Sequence, residues 1–577
     1  MNRISLRALN AASPARFVEA LGDIFEHAPW VAQRALGQRP FGSRVHLHQV
    51  LCAVVMQATA AEQLTLIRAH PELGLIASVS AQLTAASTRE QRGAGLAACT
   101  PAQAAELAAL NLAYRARFGF PFIIAVRGHT PASLIKALTQ RLTQDPDTEH
   151  ASALAQIFRI ARFRLCDRVS APLGPETLAV LDELAEFSET DHGLTCTYLS
   201  EAHRRCAAHI GDWMLAAGLT VHHDAVGNVV GRLRRAATPA STLITGSHYD
   251  TVIDAGKYDG RLGIVLPILV ALELRQQGMQ LPYDLEIIAF AEEEGVRFNL
   301  PYLGSRAVAG RFDEQMLETR DGQGMSLRAA LRQAGLAPEA IAACARDPQA
   351  LLGYVEVHIE QGPVLLAADQ ALGVVSAIAG AARYRLSVHG QGGHAGTVPM
   401  PLRHDAAAAA AEIVLAVEAR CAQGLVGTVG CLEVPAAAIN VIPARCELSL
   451  DVRAAEDAVR DAALADIQAV VQRIAQARGV RIEMRALMQT PATPCDPALQ
   501  RQLSASISRV SGAAAPLHLL SGAGHDAVMM ANLTAIGMLF VRCGNAGISH
   551  HPSETLSAAD AELAAQVFTD FLCRYVP

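Results

Sequence analysis

Hydrophobic spacing changes once along this chain, and that change constrains what it can fold into. Up to about residue 168 the apolar residues of "ARFVEALGDIFEHAPWVAQRAL", "RVHLHQVLCAVVMQA", "PAQAAELAALNLAYRARFG" and "EHASALAQIFRIARFRLCDRV" recur three or four apart. That is the period of helices with one buried face. The stretch "SAPLGPET" (170–177), with two prolines and a glycine, interrupts the pattern and marks a domain boundary. Beyond it, apolar runs such as "TLITGSH", "DLEIIAFAEEEG" and "GYVEVHIEQG" end in polar loops and alternate with helices, the pattern of an α/β sheet. Residues 382–495 read as a smaller unit: "RYRLSVHG", an Ala-rich helix, "GTVGCLEV", "RCELSLDVR", a second helix, then "VRIEMRAL". That βαββαβ order is ferredoxin-like. The expected fold is multidomain: an all-α domain over 1–170, an α/β domain over 175–381 and 496–577, and the α+β domain over 382–495 inserted into it.

Composition narrows the class. A chain of 577 residues is too long for a single core, and its net charge of −7 leaves no electrostatic footprint for nucleic acid. No run approaches the ~20 apolar residues of a membrane span, and "MNRISLRALNAASPARF" lacks the apolar region of a signal peptide. Twelve cysteines are scattered singly, with no C-x-x-C pair, which suits reduced thiols in the cytoplasm.

Four strand-end loops hold side chains that ligate metals: "GSHYDTVIDAGKYDG" (246–260), "AEEEGVRF" (291–298), "VHIEQG" (357–362) and "GISHHPSE" (547–554). A histidine, a carboxylate able to bridge, a glutamate and further histidines suit two divalent ions about 3.5–4 Å apart. Mixed imidazole and carboxylate donors favour Zn, Mn or Co over Mg or Ca. Asp250, two residues after His248, is placed to accept the ring's other N–H. Taken singly, each loop has a plainer explanation: a turn histidine, a solvated helix start, an exposed strand end, a surface His pair. All four ending strands of one domain argues against four coincidences.

With "GGHAGTVPM", "INVIP" and "SGAGHDA", these runs span 175–577 in order and resemble the di-metal amidase/hydantoinase/carbamoylase family, within it the allantoate amidohydrolases. The resemblance implies that His248, Asp259 and His358 hold one metal, with Asp259 bridging to a second held by Glu294 and His550. It makes Glu293 the general base for the attacking water, and His394 the donor to the oxyanion, supplied across a homodimer built on the inserted lid domain. Gln361, Asn440 and Arg453 match substrate-binding positions, Arg453 suiting a two-pronged contact to a carboxylate. The family has one histidine before Asn-Pro; here His551 takes the place of that Asn. Two Zn or Mn ions are the implied cofactors. The same metal motifs also fit an N-carbamoyl-L-amino-acid hydrolase or a ureidoglycolate amidohydrolase.

In the helical region, "IRAHPELG" (67–74), "STREQRGAGL" (87–96) and "NLAYRARFGFPFIIAVRG" (111–128) are weak signals singly: a helix-end histidine, a capping box and a buried extended segment. Together with "EHAPWVAQRA" and "RIARFRL" they resemble the 2-oxo-4-hydroxy-4-carboxy-5-ureidoimidazoline (OHCU) decarboxylases, an all-helical family that needs no cofactor. The resemblance implies His70 and Glu90 as catalytic residues, with Ser87, Gln91 and Arg164 on the substrate and backbone near Phe120 and Ile123 lining the pocket. Arg162 is the other arginine of that motif.

The expected protein is thus a bifunctional enzyme of purine breakdown acting on small ureides. One half makes (S)-allantoin from OHCU, and the other hydrolyses allantoate to ureidoglycine, ammonia and carbon dioxide. A separate allantoinase is implied between the two steps, since neither half opens the allantoin ring. The break at 170–177 leads to the expectation that each half works without the other. The alternative makes the helical half a non-catalytic docking domain.

Overall fold

The structure, a computed structural model, describes residues 3–73, 99–234, 241–421 and 424–576. These fall into two compact units, Met1–Ala371 with Val541–Pro577, and Leu372–Phe540.

The first unit opens with helices. Pro14–Leu21, Pro29–Ala35, Arg44–Met56, Ala60–Arg68, Pro101–Phe118, Pro131–Arg141 and Pro146–Arg168 are its main ones. Several begin on proline behind a Ser, Thr or Asp cap: Thr100 caps Gln103, Thr130 caps Ser133 and Asp145 caps Thr148. Proline at this first position loses no helical hydrogen bond, and the capping oxygen satisfies an amide that would otherwise be orphaned. "ARFVEALGDIFEHAPWVAQRAL" is two helices rather than one, divided before Pro29.

"SAPLGPET" is not a loose linker. Val169–Ser170 pairs in parallel with Ile4–Ser5, and the next helix already starts at Leu173. Glu176 in its first turn accepts from the Arg44 backbone N–H at 2.7 Å and from Arg44 Nε at 3.0 Å, with both side chains buried. A buried ion pair thus joins the helical region to the helix Leu173–Ala185 beyond it. Removing one partner would strand the other charge, a cost of about 3–5 kcal/mol.

The sheet of the first unit runs Leu351–Ile359, Thr242–His248, Asp284–Phe290, Val229–Leu233, Thr220–His223. Thr242–His248 is parallel to both neighbours, and its register sets His248 opposite Phe290. All seven residues of each of Thr242–His248 and Asp284–Phe290 are buried, which explains their near-continuous apolar reading. The polar side chains therefore gather just past the carboxyl ends of these strands, where open α/β sheets bind ligands.

The second unit has a four-strand path, Leu425–Thr428, Arg445–Ala454, Gly380–His389, Arg481–Thr490, with helices Ala406–Arg420 and Asp457–Arg478. Leu386, Val388, Ile413, Leu448, Val452 and Ile467 belong to the core between them. This unit extends beyond 382–495 because Leu372–Ile378 pairs with Thr493–Pro494 and Leu517–Ser521.

Candidate functional site

Asp259 is the centre of the site. Its Oδ1 lies 3.3 Å from His358 Nε2 and 3.6 Å from His248 Nε2, while its Oδ2 lies 3.0 Å from His550 Nε2. His550 Nε2 is in turn 3.6 Å from Glu294 Oε1. The carboxylate thus faces two histidines with one oxygen and a His–Glu pair with the other. Ligand atoms of the trios His248–Asp259–His358, Asp259–Glu294–His550 and His248–Glu293–Glu294 each fall within 4.8 Å of one another.

Two of the three imidazoles are held by their other nitrogen. His358 Nδ1 donates to the Ile359 carbonyl at 2.8 Å and His248 Nδ1 to the Asp250 carbonyl at 3.1 Å, which leaves both Nε2 lone pairs toward Asp259. Asp250 acts differently from its expected role as carboxylate partner of the ring. Its side-chain oxygens accept the backbone N–H groups of Glu293 (3.1 and 3.2 Å) and Glu294 (3.1 Å), while Oδ1 stays 3.5 Å from His248 Nδ1. Asp250 therefore fixes the glutamate loop.

A histidine-and-carboxylate set of this kind fits two divalent cations. The crowding of carboxylates supports the fit: burial, then the charge of Asp259, pushes Glu294 up to about 7. Room is kept by Gly260, at φ +64°, where a Cβ would stand 2.5 Å from the His248 ring. Gln361 and His550 hold left-handed backbone conformations, φ +55° and +54°, of the kind that persist where surroundings impose them. Gln361 Nε2 donates to Asp259 Oδ2 at 2.8 Å, so this side chain meets the cluster directly. His551 turns away, its Nδ1 accepting from Ser553 N–H at 3.1 Å.

The remaining residues of this set lie in the second unit. The Gly393–His394 ladder with Val441–Ile442 sets His394 beside Asn440, whose carbonyl accepts from Ala395 N–H at 2.9 Å; both side chains are exposed. Arg453 bonds Asp451 through Nε (3.0 Å) and Nη2 (2.9 Å), and its Nη1 donates to the Gly522 carbonyl.

The helical region holds a second, smaller site, a cavity of about 40 Å³ lined by His70, Ile123, Val126, Ile160, Phe163 and Arg164 among others. His70 Nδ1 donates to the Leu66 carbonyl at 2.9 Å, leaving Nε2 as an acceptor. Burial brings its pKa down to about 4, so the ring is neutral near pH 7. Arg164 is buried and ion-paired to Glu26 at 2.8 Å, and its Nη1 also reaches the Ile24 carbonyl at 3.2 Å. Arg162 leaves the cavity for Glu183. Phe120 is not among the lining residues; its ring packs against Tyr114 and Phe118. Ser87, Glu90 and Gln91 lie outside the described residues.

Known proteins share both regions. The family model for peptidase family M20/M25/M40 matches residues 244–574, more than half of the chain. The chain belongs to peptidase family M20/M25/M40. A second model, OHCU decarboxylase, matches residues 10–166 of this M20 protein. The rice (Oryza sativa subsp. japonica) probable allantoate deiminase is 40% identical over 433 residues, 69% of this chain and 88% of its own. The N-carbamoyl-L-amino acid amidohydrolase of Geobacillus stearothermophilus is 37% identical, covering 67% of this chain and 95% of its own. A crystal structure of a Burkholderia multivorans amidase of the hydantoinase/carbamoylase family superposes with a TM-score of 0.65 at 30% identity, over 69% of this chain and 97% of that one.

Three supports of the M20 site escape sequence reading. Glu554, buried, accepts from the backbone N–H of Tyr258 (2.9 Å) and Asp259 (3.2 Å), and from the Ser549 hydroxyl (2.8 Å). His203 stacks on Tyr249 at 4.3 Å and its Nε2 meets the Ala291 carbonyl at 2.7 Å, tying the His248 loop to the glutamate loop. Fully buried Arg261 joins the Tyr249 and Leu184 carbonyls. Glu554 alone had a signal, being part of "GISHHPSE".

Proposed function

We propose that this chain is a bifunctional enzyme of purine breakdown, decarboxylating OHCU to (S)-allantoin in its helical region and hydrolysing allantoate in its M20 region. The observation that carries the hydrolase reading is the division of Asp259, one oxygen toward His248 and His358, the other toward His550 beside Glu294. The substrate follows from the pairing on one chain of that site with a region matching the OHCU decarboxylases. The relatives named allantoate deiminase support the same choice.

His248, Asp259 and His358 would hold one divalent ion, and Asp259, Glu294 and His550 the other; Zn and Mn are the candidates. When bound, such ions lower the pKa of a water and polarise a carbonyl. Glu293, held through its own N–H by Asp250, takes a proton from the attacking water and returns it to the departing nitrogen. Gln361 would orient the ureido group; the family resemblance assigns Asn440 and Arg453 to the amide and carboxylate, and His394 to the oxyanion across a homodimer. The reaction consumes one water and releases ureidoglycine, ammonia and carbon dioxide. In the helical region neutral His70 offers Nε2 as acceptor to the OHCU hydroxyl, Arg164 faces the substrate from the same cavity, and Glu90, Ser87 and Gln91 complete the contacts.

The α+β unit acts as ferredoxin-like lid and homodimerisation domain in this reading, and the enzyme is cytoplasmic. All cysteines are free, as suits that compartment. A separate allantoinase opens the ring between the two steps. The test is product analysis of the purified chain given OHCU, allantoate, ureidoglycolate and an N-carbamoyl-L-amino acid separately. Turnover of OHCU and allantoate is expected; preference for either of the last two overturns the substrate assignment.

A further inference from the structure

The helix Pro146–Arg168 faces two ways. Ile160, Phe163 and Arg164 turn to the cavity, while Arg159 and Arg162 turn to the helices Leu173–Ala185 and Glu201–Ala217. Arg162 and Arg164 are two residues apart, about 200° around a helix, so one cannot be moved without turning the other. On the far side stands Glu183, 7% exposed, in the helix Leu173–Ala185. Arg162 Nη2 donates to its Oε1 at 3.0 Å, Trp213 Nε1 donates to its Oε2 at 3.2 Å, and His209 Nε2 lies 3.0 Å from that same oxygen. The Arg162 guanidinium also lies 5.1 Å from the centre of the Trp213 ring. Nearby on the same helix, Arg159 meets Asp212 at 2.5 Å.

We propose that Glu183, which lies outside the region matching the OHCU decarboxylases, is a positioning residue for that activity: by holding Arg162 it sets the rotation of the helix that presents Arg164 to the cavity. The inference rests on the reading of the helical region as a decarboxylase. Its physical basis is the cost of alternatives. Any rotation that withdraws Arg162 breaks its contact with buried Glu183 and takes a cation away from that carboxylate, so the helix has one favoured setting. Glu183 is suited to the task because it stays ionised: burial opposes its charge, but His209 and Arg162 outweigh burial and bring its pKa down to about 2. Arg164 itself is fixed at its tip by Glu26, so the helix and the tip are held from opposite sides. Arg162 takes its anchor from Glu183, beyond the 10–166 span that matches the decarboxylases.

The full chain carries the test, with both activities measured on each variant. Glu183→Gln keeps the side chain's size and removes its charge. It should raise KM for OHCU about tenfold while changing kcat less than about threefold, the signature of a substrate-binding group displaced rather than removed. Allantoate hydrolysis should stay within about twofold, which also reports that the chain is folded. Arg162→Gln should do the same, and it is the milder change for folding because Glu183 keeps His209 and Trp213. The double variant should be no worse than either single one, since both act through one contact. A folded Glu183→Gln or Arg162→Gln with unchanged KM, or effects that multiply in the double variant, overturns the proposal. Failure of the unaltered chain to decarboxylate OHCU would instead overturn the reading beneath it.

Discussion

The two candidate catalytic regions are built by opposite means. In the M20 region the five candidate ligands come from four loops spread between residues 248 and 550, and backbone carbonyls orient two of them, His248 and His358. Charge is concentrated there, with three imidazoles and three carboxylates linked through overlapping trios. In the helical region the cavity has mostly apolar walls, one histidine made neutral by burial and two arginines already neutralised, Arg164 by Glu26 and Arg127 by Asp167. A sheet delivers many polar groups to one edge, and such a cluster is completed by cations. Packed helices instead deliver a small, mostly apolar cavity, where each polar group must be satisfied singly. The two activities of one chain should therefore fail under different insults.

The largest contrast is expected from chelation. Removing divalent ions from the purified chain should abolish allantoate hydrolysis, with return on adding Mn or Zn, while OHCU decarboxylation is untouched. Parallel loss of both rates would show that the helical region too depends on a metal, and the contrast would collapse.

Carboxylate substitutions sharpen the same contrast within the M20 site. Glu293→Gln should leave metal content near normal and cut hydrolytic turnover by about 10²–10⁴-fold, the range for losing a general base. Glu294→Gln should lower the metal content instead, because an amide is a poorer ligand than a carboxylate. Metal analysis beside both rates decides it: reversed behaviour of the pair would put the roles one residue out of register. Decarboxylation should not respond to either.

Much of the M20 site is legible in the sequence because histidines and carboxylates at the ends of apolar runs are conspicuous. His248, Asp259, Glu294, His358 and His550 can be found that way, and their loops do meet. What cannot be read is which partner a polar group chooses. Asp250 is two residues from His248, yet its carboxylate spans to the amides of Glu293 and Glu294 on the neighbouring strand's loop. Glu554 serves Asp259 from 295 residues away, a distance over which spacing carries no information. The helical region shows the same limit on a smaller scale. Helical periodicity puts Arg162 and Arg164 on opposite faces but does not say which face meets the cavity and which meets Glu183. Nor does a stretch with two prolines and a glycine reveal that Glu176, at its end, is the counter-charge of Arg44.

That ion pair gives a prediction of intermediate size. Glu176→Gln removes the charge opposite Arg44, whose side chain is 2% exposed, and should cost about 3–5 kcal/mol in the stability of the helical region. The surface pair Arg16–Glu19, with exposures of 57% and 68%, is the control; Glu19→Gln should cost less than about 1 kcal/mol. Denaturant unfolding followed by signals from each region measures both. Equal small effects would mean that the contact at Arg44 contributes nothing to holding the regions together.

The smallest expected effect is the response of decarboxylation to pH, and it depends on the burial of His70 in this cavity. Burial lowers His70 from 6.5 to about 4, and His48, in the same region, is also brought by burial to about 4. A folded value below the ordinary one means that the folded state binds fewer protons than the unfolded chain between about pH 6.5 and 4. The stability from keeping these rings neutral is thus fully present above 6.5 and is lost as pH falls toward 4. The same direction holds for the chemistry, because protonation takes away the lone pair on His70 Nε2 while Nδ1 stays committed to Leu66. Decarboxylation should therefore change by less than about twofold between pH 8 and 6, then fall as the pH approaches 4. A histidine at its ordinary value would instead lose half of its acceptor form by about pH 6.5. A pH–rate profile with a midpoint near 6.5, removed by His70→Gln, would mean that water reaches this ring and that burial does not hold it neutral.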